Sequence, residues 1–212
     1  MQIESYCRII NHTIFLNGKH VADLERIAGD DSISYPLDEV FKSTGTPYVD
    51  FERMSQSAKL AYACADLAIR QYMKDPDIPK PDVGMLLFSR ASTMAVSMES
   101  GRDIPEHNAP ELHLYMYSNP VIVCNEIAIN YNLQGERGMY MVEDFKPEEM
   151  FDLLYSAFTL DKDLKYFLVS FLDLYAGYTS ALACLVSRAG GPVNREVAYQ
   201  RTAFAHTMRD IY

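Results

Sequence analysis

The sequence predicts an α/β fold, a mixed five-stranded sheet with helices on both faces, and three observations predict it. Val83–Ser89, VGMLLFS, is a continuous apolar run beside a proline-rich loop, the pattern of a strand buried on both faces. Just before that loop, Leu60, Ala61, Cys64, Leu67 and Ala68 recur at helical spacing. Beyond Ser89, helix-type and strand-type segments alternate, as crossovers between parallel strands require.

The elements follow in order. Cys7–Leu16, CRIINHTIFL, is β-branched and partly alternating, so it reads as strands with a turn near Asn11 or at Asn17-Gly18. Residues 22–54 are polar and interrupted by Pro36, Gly45 and Pro47, a loop with short helical pieces. A helix follows, capped by Ser55 or Ser57 and stopping before Pro76. DPDIPKPD is loop and VGMLLFS a strand; ESGRDIPEHNAPE is loop again. Asn119-Pro120 opens a helix over Val121–Asn132, with Asn as the cap and Pro at the first helical position, and Gly135 ends that unit. GMYMVE is a strand turning sharply into the helix PEEMFDLLYSAFTLD. Lys165–Ala176 and Thr179–Arg188 are strands, and Gly190-Gly191-Pro192 is a turn. REVAYQRTAFAHTMRDIY fits more than one element type.

Length and charge set bounds. The 212 residues suit a single domain, 1–212. The apolar runs fall far short of the ~20 residues of a membrane span, and MQIESYCRII lacks a basic region followed by an apolar core, so a cytoplasmic protein is expected. Net charge is −10, with the 19 Lys and Arg scattered, which disfavours nucleic acid as a partner. Cys7, Cys64, Cys124 and Cys184 lie among apolar neighbours and form no CxxC pair; they read as buried free thiols.

Few residues suggest chemistry. Gly135-Glu136-Arg137-Gly138 lacks the third glycine and the preceding strand of a dinucleotide loop, so no cofactor is expected. His107, Glu111 and His113 match no zinc spacing and read as loop polarity. Cys124 sits one turn into its helix and reads as packing rather than as a nucleophile. Glu143 and Asp144 follow an apolar strand. They are either an acid/base pair or acids favouring the N-terminus of the next helix.

Three stretches carry a family resemblance. RMSQSAKLAYACADLAIR, VGMLLFS and PELHLYMYSNPVIVCNEIAINYNLQGE, followed by KYFLVSFLDLYA and TSALACLVSR, resemble in order and spacing the N-terminal half of a β-ketoacyl-acyl-carrier-protein synthase. The resemblance covers about residues 50 to 190 and implies a thiolase-like half-fold. It also places the family's nucleophilic cysteine at or next to Asp144, where this strand ends VED. The family's two catalytic histidines belong to a C-terminal half, and no HGT or NxFGFG motif is present here. Condensation needs the thiolate to hold the acyl group and the histidines to drive decarboxylation.

The chain therefore resembles the short chain-length-factor type that accompanies active synthases in aryl polyene or flexirubin-type pathways. That resemblance implies a non-catalytic subunit whose partner is an active ketosynthase, or a second copy, with an acyl carrier protein engaged indirectly. The pairing surface implied is Gly138, Met139, Tyr140, Met141 and Val142, flanked by Val121 and Cys124. Leu114, Tyr115 and Met116 would reach toward the partner's acyl tunnel and limit chain length. Two alternatives remain: a self-associating acyl-binding protein, or a small acyl-thioester decarboxylase or hydrolase using Asp144.

Overall fold

The computed structural model of the chain describes residues 1–10, 13–23, 48, 51–73, 79–94, 96–98, 101, 112–175, 178–188 and 196–212. Seven strands form one mixed sheet: β1 (Gln2–Ile10), β2 (Thr13–Leu16), β3 (Lys19–Asp23), β4 (Val83–Ser89), β5 (Arg137–Met141), β6 (Tyr166–Tyr175) and β7 (Tyr178–Ser187). Their spatial order is β3-β2-β1-β7-β6-β4-β5. The α/β class with helices on both faces holds, but five strands was too few. The first 23 residues supply three strands, because Asn17 (φ 50°) and Gly18 (φ 77°) make a tight hairpin turn and an earlier reversal separates β1 from β2.

The parallel core is β5-β4-β6, with β4 paired parallel to both neighbours. Antiparallel β7 and β1 extend it. β4 is buried at every position, as its unbroken apolar run predicts.

One face carries α1 (Gln56–Ile69) and α3 (Val121–Tyr131), which packs on α1 and on β4 and β5 and is preceded by the short helix α2 (Leu112–Tyr117). Ser55 is the α1 cap: its Oγ accepts from the Ala58 N–H at 3.3 Å. α1 is buried all round, packed on β1, β6 and β7 and covered by α3, so even Lys59 and Asp66 are inside. Asn119 Oδ1 accepts from the Val121 N–H at 3.1 Å, but the start lies one residue later than expected: Pro120 is the N-cap rather than the first helical residue. The α3 terminus falls within the expected bounds. Asn132, at φ 52°, makes the left-handed cap, and Gly135 serves instead where the chain presses on β4. A Cβ on Gly135 would lie 2.5 Å from the Val83 carbonyl oxygen.

The other face carries α4 (Pro147–Leu160) and α5 (Glu196–Ile211). The segment of uncertain type is thus a helix, with Phe204, Ala205, Met208 and Ile211 turned inward at helical spacing. Asp152 and Arg201 join the two helices by paired 2.8 Å bonds, and Glu148 pairs with Arg209. Among the described residues no helix is long and apolar enough to cross a membrane.

Candidate functional site at the carboxyl ends of the parallel strands

Open α/β sheets place ligands at the carboxyl ends of their parallel strands. Here that rim is formed by the ends of β4, β5 and β6. Ser89 lies opposite Leu172 in the β4–β6 register, so Arg90 comes level with Asp173. Arg90 Nε donates to Asp173 Oδ2 at 2.7 Å, and a second guanidinium nitrogen donates to the same oxygen. Asp173 is buried, while Arg90 is 40% exposed and reaches outward to Asp144 Oδ1 at 3.5 Å. The hydrogen bond it donates to Asp173 holds the Arg90 guanidinium above its ordinary pKa. One fixed cation therefore spans an inner and an outer carboxylate.

Aromatic rings fill the space beside it. Phe145 stacks on Tyr212 with centroids 4.1 Å apart, and both meet Phe171 edge-on. After β4 the chain turns through Ser92 at φ 51°, whose N–H donates to Ser89 Oγ at 2.8 Å. Thr93 Oγ1 then donates to the Ser118 carbonyl at 2.7 Å, tying this turn to the segment before α3.

The expected sharp strand-to-helix turn is instead a five-residue connection, Val142–Lys146, between Met141 and Pro147. Glu143 and Asp144 are exposed within it and lie ahead of the helix, so they do not cap it. The first turn of α4 carries its own acids, Glu148 and Glu149, and these favour its N-terminus. Among the described residues Asp144 therefore faces an arginine and is paired with neither a thiol nor an imidazole. His20 pairs with Asp23 at 3.1 Å on β3, and His206 with Asp210 at 3.0 Å on α5. His12, His107 and Glu111 lie outside the described residues, as does the side chain of His113. Among the described residues no three His, Cys, Asp or Glu side chains group as metal ligands.

All four cysteines are free and buried, as expected. Burial pushes the Cys124 thiol up to about 12, and raises those of Cys64 and Cys184 as well. None of these three is poised as a thiolate nucleophile.

The expected pairing surface is largely on the outside. β5 is the end strand of the sheet, with Met141 72% exposed and Gly138, Met139, Tyr140 and the following Val142 half-buried. Tyr140 stacks on Phe88 at 5.3 Å, which holds its ring against this chain's own sheet. Val121 is exposed rather than on the inner face of α3, and Ile129, two turns further along the helix, is 69% exposed. Cys124 is a correction: at 2% exposed it packs inside and offers nothing to a partner. On α2, Tyr115 (61%) and Met116 (50%) are exposed; the side chain of Leu114 is not described.

Sequence reading missed the Arg90–Asp173 pair, although a lone acid in the apolar LVSFLDLY carries the signal, since a buried charge needs a partner. It also missed Asp66 in α1, which accepts from Tyr131 and pairs with Arg70 at 2.9 Å, and Glu126, which accepts from Tyr48 and Tyr117. These groups lock α3 to α1 and α2.

No protein-family model and no curated protein matches the chain. Solved structures do. The ketosynthase in complex with its chain length factor from Xenorhabdus doucetiae aligns with a TM-score of 0.58 at 12% identity, covering 90% of this chain and 79% of that one. The ishigamide ketosynthase/chain length factor aligns with a TM-score of 0.63 at 11% identity, covering 91% of this chain. This chain spans 63% of that second structure's chain. The fold is therefore ketosynthase-like, of the thiolase type.

Proposed function

We propose that this chain is a non-catalytic ketosynthase-like subunit of the chain-length-factor type, a single domain that works by pairing with an active ketosynthase in fatty-acid or polyketide-type synthesis. One observation carries the reading. At the carboxyl end of β5, where the resemblance puts a nucleophilic cysteine, Asp144 stands exposed against Arg90. The described cysteines are all buried elsewhere. A carboxylate facing a fixed guanidinium cannot hold an acyl group as a thioester, so this chain does not replace the missing step.

Pairing then gives the fold its use. The free edge of β5 and the exposed Val121 and Ile129 of α3 offer backbone groups and apolar surface to a partner sheet. Tyr115 and Met116, two bulky exposed side chains on α2, are the residues we assign to limiting chain length in the partner's tunnel, together with Leu114. An aryl polyene-type pathway and a carrier protein docked on the ketosynthase rather than on this acidic chain fit the same reading. The test is reconstitution with a ketosynthase encoded beside this protein. Tyr115→Ala and Met116→Ala should lengthen the products without abolishing turnover; unchanged product length removes the gating role.

A further inference from the structure

Tyr115 and Met116 sit on a helix too short to hold itself in place. α2 has six residues, and a helix of that length is not stable without outside contacts. Of its described side chains, Leu112, Tyr115 and Met116 are exposed, whereas Tyr117 is 5% exposed. Among these side chains Tyr117 is the anchor. Its hydroxyl donates to Glu126 Oε1 on α3 at 2.9 Å. Glu126 Oε2 accepts from the Tyr48 hydroxyl, and the Tyr48 ring stacks on Tyr62 of α1 with centroids 5.0 Å apart. Both carboxylate oxygens are engaged, so the carboxylate cannot turn from Tyr117 without also giving up Tyr48.

The end of α2 is closed by the residues that follow it. The Ser118 hydroxyl donates to the Tyr115 carbonyl at 2.6 Å, and the Asn119 N–H donates to the Met116 carbonyl at 3.1 Å. These bonds fix where α2 stops. They do not fix its rotation about its own axis. Neighbouring helical residues are about 100° apart, so the direction in which Tyr117 is held decides where Met116 and Tyr115, one and two residues before it, point.

We infer that Glu126 is a positioning residue for chain-length control: through Tyr117 it sets the orientation of α2, and with it the placement of Tyr115 and Met116. The inference rests on the proposed gating by α2 and adds the residue on another helix that governs it.

The assay is the complex reconstituted with the ketosynthase encoded beside this protein. Tyr117→Phe keeps the ring and removes the donor. Products should shift to longer and more mixed lengths, as with Tyr115→Ala, with turnover and complex formation unchanged. Glu126→Ala should do the same. Glu126→Gln should keep the wild-type lengths, because an amide still accepts from Tyr117 and its NH2 can donate to the Tyr48 oxygen. Hydrogen exchange of the α2 amides should quicken roughly fivefold to tenfold in Tyr117→Phe, as expected for one lost hydrogen bond. Tyr131→Phe is the control. It removes a similar tyrosine–carboxylate bond, to Asp66, between α3 and α1, so it should lower stability comparably and leave product length alone.

Unchanged products or unchanged α2 exchange in Tyr117→Phe, while Tyr115→Ala lengthens the products, overturns the inference and leaves the proposed function standing. An equal shift of products with Tyr131→Phe also overturns it, since general loosening would then explain the effect. If neither Tyr115→Ala nor Tyr117→Phe alters product length, the gating reading fails and this inference falls with it.

Discussion

Asp173 is an acid within the otherwise apolar LVSFLDLY, and a strand of that composition accepts a carboxylate only with a partner close by. Arg90 is that partner, and the two sides of the pair are unequal. Arg90→Met leaves Asp173 buried without a counter-charge, and should cost about 3 kcal/mol of stability in urea unfolding. Asp173→Asn leaves Arg90 partly in water with Asp144 still near, and should cost clearly less. Equal losses would mean that burial is not what makes the pair matter. Asp144→Asn should leave stability almost unchanged, because the exposed partner is the weak end of the chain of charges.

Burial raises the pKa values of the Cys64, Cys124 and Cys184 thiols. Their folded values lie above the unfolded ones, so the folded chain keeps protons that the unfolded chain releases. The stability they contribute is full below about pH 8.5, and it falls as pH rises toward about 12, the value for Cys124. Thiol reagents at neutral pH should label these cysteines only at the rate of unfolding.

Helix ends and helix contacts decide which elements were legible. α1 shows plainly in the sequence because its apolar residues are dense and Ser55 caps it. α5 did not, because Ala205 dilutes its inward face and only Phe204, Met208 and Ile211 carry the period strongly. The α3 terminus falls where the expected bounds, Val121–Asn132, put it, and Asn132 itself fills the left-handed cap that glycine usually takes. Asn132→Gly should hold or slightly raise stability, and Asn132→Ala should lower it by about 1 kcal/mol, since a Cβ without a local hydrogen bond is disfavoured there.

Between α4 and α5, hydrogen bonds from Arg201 and Arg209 hold Asp152 and Glu148 below the usual carboxylate range. Depressed values stabilise above the unfolded carboxylate pKa, and that contribution disappears as pH falls through the folded values. Replacing both arginines by methionine should flatten the loss of stability below about pH 4, measured by urea titration at several pH values.

Across the whole molecule, the sequence was read well where one pattern decided the outcome and poorly where contacts between distant residues did. The unbroken VGMLLFS run could only be a central strand, and the order of elements around it led to the ketosynthase-like fold. The strand count was low because two reversals lie within the first 23 residues, where turn residues and strand residues interleave. Of the candidate site, the exposed edge and the two acids were visible beforehand. The arginine that occupies one of them was not, because it is 54 positions away from Asp144 in the chain and meets it only through the sheet.

The most direct test is light scattering of the pure protein mixed with a ketosynthase encoded beside it. The account predicts a one-to-one complex whose formation weakens when Met141 is replaced by aspartate. A protein that stays with itself at every ratio, ignoring the ketosynthase, would contradict the claim that this chain is a pairing subunit.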